Sequence, residues 1–180
     1  YLWHGREVTA VDLHSGERRV VHAAPDGFEP GKLIVTADGQ HLCLRIGERF
    51  GNSTQAPPPI HRPYHNFAQT LAARPLSRIV KVALDGSGDE VVWEERCWVG
   101  HVNTSPTQSH LLSFCHEGPW HLVDHRIWML DLNTRNVWKV REREVDDERI
   151  GHEYWHRDGI HIGYHGNAPG RGNTLGAIRY

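Results

Sequence analysis

Three short stretches concentrate side chains able to move protons and hold anions: Cys115-His-Glu-Gly-Pro-Trp-His121, Val123-Asp-His-Arg-Ile-Trp128 and Gly151-His-Glu-Tyr-Trp-His156. An imidazole ordinarily titrates near neutral pH, which suits it to take or give a proton. A guanidinium offers a planar fork that matches a carboxylate. Fifteen His and seven Trp are more than a core needs, and many of the His stand beside Trp, Tyr or Gly, as residues lining a cleft would. For most of the fifteen, a solvated loop position is the plainer reading.

The elements that must position these groups are strands. Helical periodicity is nearly absent, and short apolar runs alternate with Asp-Gly, Ser-Gly and Asn-Thr turns, the grammar of hairpins. One hairpin type recurs three times, with first strands Val8–Leu13, Arg78–Leu84 and Arg126–Leu132. A second type is built around an Asp-Gly turn, in Ile34–Leu44 and Tyr154–Tyr164, with a degenerate copy at Val102–Phe114. Equivalent positions Asp12, Ala83 and Asp131 are 71 and 48 residues apart, and the second interval is the length of a propeller blade. The longer interval holds an insertion at about 51–75, with the aromatic, His-rich patch His61-Arg-Pro-Tyr-His65. The fold class expected is all-β: about three to four blades of an incomplete β-propeller, residues 1–180 forming a partial domain of it. A stand-alone β-sandwich is the alternative. In a propeller, loops entering and leaving the inner strands line the axial cavity, so all three stretches would meet there.

Composition narrows the partners. A net charge of −2 gives no basic footprint, so nucleic acid is not an expected partner. No run of 18 or more apolar residues exists, so no membrane-spanning helix is expected. A polyanionic substrate would be met by local charge. Cys43, Cys97 and Cys115 each sit in or beside an apolar run and read as buried, reduced thiols. The chain starts at Tyr1 without Met and stops at Tyr180 as a strand pattern begins, so it is expected to be a piece of a longer one.

The order C-H-E-G-P, then V-D-x-R-x-W, then H-E-[FY]-W resembles the oligogalacturonate lyase family (polysaccharide lyase family 22), with matching spacing across Trp98 to Gly166. Arg78-Ile-Val-Lys-Val and Trp98-Val-Gly-His101 match more loosely, and residues 1–75 match only as generic propeller. The resemblance implies a seven-bladed propeller that cleaves galacturonate oligomers by β-elimination with a divalent metal, typically manganese, in the cytoplasm. It assigns the base to His152 and its charged partner to Arg126, whose fork could hold a uronate carboxylate.

β-Elimination removes the C5 proton, alpha to the carboxylate, while the C4 oxygen leaves. A positioned base contributes roughly 10²- to 10⁴-fold, so fixed positive charge and a Lewis-acidic metal must supply the rest. The family's metal ligands lie beyond the last residue of this chain, so no metal ligand is assigned and the isolated chain is expected to be inactive. His161 and His165, sharing one strand face, are weak ligand candidates.

His116, Glu117, Trp120 and His101 are candidate substrate contacts, His101 in a supporting position. His116 and Glu117 could equally be hydrogen-bonding groups at a strand end. Trp128 and Trp155 read as core. Asp124 would orient Arg126 or cap a turn, and Glu142–Glu148 reads as a solvated acidic loop. The rival from another class is a non-catalytic propeller serving as an interaction scaffold. Oligomeric state is not readable.

Overall fold

The computed structural model describes residues 1–49, 67–123 and 125–180. Fourteen strands occur among them: β1 (Leu2–His4), β2 (Glu7–Val11), β3 (Arg18–Ala23), β4 (Phe28–Val35), β5 (His41–Glu48), β6 (Leu76–Ala83), β7 (Asp89–Arg96), β8 (Val99–Thr104), β9 (Leu111–His116), β10 (Ile127–Asp131), β11 (Val137–Lys139), β12 (Arg149–Trp155), β13 (His161–Ala168) and β14 (Gly172–Arg179). One helix, α1 (Phe67–Ala73), joins them. Neighbouring strands pair antiparallel in sequence order, giving four sheets: β1-β2-β3, β4-β5-β6-β7, β8-β9-β10-β11 and β12-β13-β14. Two blades are therefore complete, and one three-stranded sheet flanks them on either side.

Local chemistry explains the hairpins. Asp12 and Asp131 each accept two backbone N–H bonds from the residues just beyond the turn, at His14 and Ser15 and at Asn133 and Thr134. The inner turns use Asp38-Gly39 and Asp158-Gly159, with the Gly at φ 69° and 65°, where a side chain is disfavoured. In the degenerate copy Ser105 stands in for Asp, its Oγ accepting from Thr107 and Gln108.

Apolar side chains of adjacent sheets meet in three layers. Val8, Leu42, Leu44 and Val82 fill the first, and Cys43, Ile79, Leu112, Phe114 and Leu130 the second. Ile127, Met129, Ile150 and Ile162 fill the third. Each such buried side chain stabilises the fold by roughly 1.5–3 kcal/mol. Buried polar groups stitch the inner strands together: Trp3 Nε1 donates to Gly31 O at 2.8 Å, Thr104 Oγ1 to Val35 O at 2.7 Å, and Trp155 Nε1 to Asn103 O at 3.0 Å. Trp155 thus packs between blades, and Trp128 lies over Phe114 and His116 with centroids 6.4 and 4.8 Å away.

The innermost strands β4, β8 and β12 share one irregularity. Each carries a register shift, between Gly100 and Asn103 and between Gly151 and Tyr154 at the same distance from the turn, and between Pro30 and Leu33 one residue further from it. These are β-bulges, in which two residues face one on the partner strand. Gly31, His101 and His152 are the first extra residues of the three.

Three expectations change. Residues 67–73 of the insertion form α1, held by Phe67 edge-on to Trp98 at 4.8 Å; residues 50–66, with the His61–His65 patch, lie outside the described residues, as does Asp124. The acidic loop is not wholly solvated: Glu148 is buried and grips Arg141 at 2.7 and 2.9 Å. Cys43 and Cys115 are buried, Cys97 only half-buried, and all three are free thiols. No helix of the described residues is long and apolar enough to cross a membrane.

Candidate active site

The bulges of β8 and β12 turn two imidazoles into one cavity. His101 and His152 have φ of 46° and 50°, the left-handed region that non-glycine residues seldom occupy, with His among the more tolerant. Their rings lie parallel, 7° between planes, with centroids 6.3 Å apart. His165 on β13 completes the row, its centroid 4.5 Å from that of His152. Burial pulls His165 below the ordinary imidazole value, and the charges of His152 and Arg126 push the same way.

The glycine before each bulge His makes room for a neighbour. A Cβ on Gly100 would stand 2.7 Å from Glu117 Cγ, and one on Gly151 would stand 2.6 Å from Trp120 Cη2. The loop after β9 can therefore lay Glu117 and Trp120 against the strand backbones. Arg143 secures that loop by donating to the carbonyls of Trp120, at 2.5 Å, and Val123.

Arg126, just before β10, sits where these parts converge. Its Nη1 and Nη2 donate to the two oxygens of Glu117 at 3.1 and 3.4 Å, and its Nε donates to Glu153 at 3.3 Å. Trp120 covers the guanidinium face at 5.3 Å. His101 closes a ring, with Nε2 3.1 Å from Glu117 and Nδ1 3.0 Å from the other oxygen of Glu153. That oxygen is buried and makes no well-aligned hydrogen bond, so its 3.0 Å contact is an ion-pair approach only. Burial alone would raise the Glu153 carboxyl; His101 and Arg126 outweigh it and hold it at about 2. Burial also works against the charge of Arg126, and Cys115 together with the carboxylates of Glu153 and Glu117 more than offsets it.

A cavity of about 520 Å³ opens over this ring, lined by His101, Glu117, Trp120, Arg126, Arg149, His152 and His165, with Phe67 and Gln69 of α1 on its rim. His152 and Arg126 thus line one cavity.

A family model described as oligogalacturonate lyase matches residues 1–176. The chain belongs to the oligogalacturonate lyase family. It is 28% identical over 169 residues to the oligogalacturonide lyase of Pectobacterium atrosepticum and 26% identical over 166 residues to the oligogalacturonate lyase of Dickeya dadantii. Each alignment takes in 91% of this chain and 42% or 41% of the relative, so the chain spans under half the length of these relatives. An oligogalacturonate lyase in complex with manganese superposes with a TM-score of 0.83 at 26% identity, covering 97% of this chain and 45% of the other. The Vibrio parahaemolyticus oligogalacturonate lyase does so with a TM-score of 0.84 at 25% identity and the same coverage.

Within this lyase family framework, five of the six expected site residues, His101, Glu117, Trp120, Arg126 and His152, line the one cavity. His116 does not. It faces a separate cleft beside Leu71, Arg74 and Leu122, paired with Glu95 at 2.9 Å and leaning on Trp128. Strand alternation separates it from Glu117: neighbours along a strand point to opposite faces. The expected bidentate hold of Arg126 on a substrate carboxylate also changes, because that fork already grips Glu117. Glu153 was missed. Next to His152 it reads as the second letter of a motif, and only the bulge turns it inward to a fully buried side chain.

Among the described residues, His101, Cys115 and Glu153 bring three donor atoms of metal-ligand type within 4.8 Å. They do not suit manganese, which favours oxygen donors. Burial holds the Cys115 thiol far above its ordinary value, and Glu153 is already paired with Arg126. His161, the weak ligand candidate, pairs with Asp158 at 2.7 Å in its own turn.

Proposed function

We propose that the protein carrying this chain cleaves galacturonate oligomers by β-elimination, with His152 as the base. The supporting observation is a histidine forced by a bulge into an exposed position of the cavity that also holds the Arg126 ring. His152 takes the C5 proton, the electron pair becomes the C4–C5 double bond, the C4–O4 bond breaks, and the departing oxygen takes a proton from water. Negative charge builds on the uronate carboxylate as the proton leaves. Arg126, oriented in advance by Glu117 and Glu153, keeps N–H donors on Nη1 and Nη2 free for that charge. Preorganisation matters because the site spends nothing on turning the guanidinium during reaction. Glu117, Trp120 and His101 shape the wall that receives the sugar, with α1 opposite.

The relative in complex with manganese supports a divalent cation in the complete protein. The described residues offer it no suitable set, so no step here runs through it. The family setting supports a cytoplasmic enzyme.

The test is product identity. Full-length protein incubated with trigalacturonate and manganese should release an unsaturated uronate, seen as rising ultraviolet absorbance and a product mass lacking added water. A hydrated product would sink the elimination mechanism.

A further inference from the structure

Arg126 and Arg149 are the two arginines lining the cavity, and they stand in opposite circumstances. Arg126 is tied to two carboxylates, Glu117 and Glu153. Arg149, the first residue of β12, is exposed, and its guanidinium makes no hydrogen bond or ion pair with any described residue. Arg126 and His101 are both engaged by the carboxylates of Glu117 and Glu153, so Arg149 is the uncommitted guanidinium of the cavity. A uronate oligomer, with one carboxylate per sugar, brings anions that such a cation can meet.

We infer that Arg149 is a specificity-determining residue that binds a substrate carboxylate, while Arg126 serves the reacting centre. This rests on the proposed lyase function. Arg149 lies on the same strand as His152, three residues away, so a group it holds is kept near the base. Its register partner is Asn167 on β13, a neutral residue that leaves the guanidinium uncommitted. A free fork can take a carboxylate through two parallel N–H bonds, which a lysine ammonium cannot reproduce. The chemical class selected is an ionised uronate over its methyl ester.

The experiment uses the full-length protein with His152→Ala to prevent turnover, and titrates trigalacturonate and its methyl ester by calorimetry. Adding Arg149→Gln should weaken trigalacturonate binding about 10- to 100-fold, the worth of a charge-assisted hydrogen bond. It should leave methyl ester binding unchanged, and Arg149→Lys should recover part of the loss. Equal trigalacturonate affinity with and without Arg149→Gln overturns the inference. So does an equal loss for acid and ester. Should the unmutated protein cleave trigalacturonate normally while either occurs, only the role of Arg149 falls. If the unmutated protein neither binds nor cleaves trigalacturonate, the lyase reading falls and this inference with it.

Discussion

Glu153→Gln is the perturbation whose size follows most directly from the structure. The side chain is fully buried, bonded to Arg126 Nε at 3.3 Å and approached by His101 at 3.0 Å. Its carboxyl is held at about 2 against an ordinary 4.5. A depressed carboxyl stabilises the folded state when ionised, so its contribution is complete above the unfolded value and is lost as pH falls through the folded one. The difference corresponds to about 3 kcal/mol at pH 7 and to roughly half that at pH 3. Glutamine keeps the shape and an acceptor oxygen for Arg126 but loses the charge. Urea unfolding of wild type and variant at pH 7 should therefore differ by about 3 kcal/mol, with the gap shrinking to about half at pH 3. A gap under about 0.5 kcal/mol at pH 7, the size of an ordinary surface substitution, or one that does not shrink on acidification, would refute the charge ring.

Other perturbations probe different parts of the site. Arg126→Lys, which cannot bridge Glu117 and Glu153 with a planar fork, should lower kcat about 10²- to 10³-fold, read by initial rates on trigalacturonate. Gly151→Ala places a methyl 2.6 Å from Trp120 and should cost about 1–3 kcal/mol in urea unfolding, with a change in tryptophan fluorescence. For His116, burial lowers the affinity for a proton, and Cys97 and Glu95 outweigh it, raising the value to about 9. A raised imidazole stabilises the fold fully below about 6.5 and loses that contribution as pH climbs through 9. Wild type should therefore lose more stability than His116→Gln between those values, measured by thermal unfolding across the range.

Much of the fold was legible because hairpins announce themselves locally. The equivalence of Asp12, Ala83 and Asp131 survives in three dimensions: each N–H closes its turn on the carbonyl five residues on, at Glu17, Gly88 and Asn136. Helix α1 was not legible, since its seven residues are anchored by a contact between Phe67 and Trp98, far apart in sequence. In the site, alternation alone could have sent His116 and Glu117 to different faces. The reverse holds for Glu153, where alternation would place it opposite His152 and the bulge defeats that rule. A signal existed even so: Gly-His occurs at the same inner-strand position in β8 and β12, marking a repeated backbone irregularity rather than two unrelated histidines. The burial of Glu148 depends on Arg141 folding back across a loop, which charge counting does not register.

The central claim is that the imidazole at position 152 takes the C5 proton, and chemical rescue tests it most directly. His152→Ala in the full-length protein should cut the rate of unsaturated product formation by roughly 10²- to 10⁴-fold, with circular dichroism unchanged, and added imidazole should restore part of the rate. Turnover of the variant close to that of wild type would contradict the assignment.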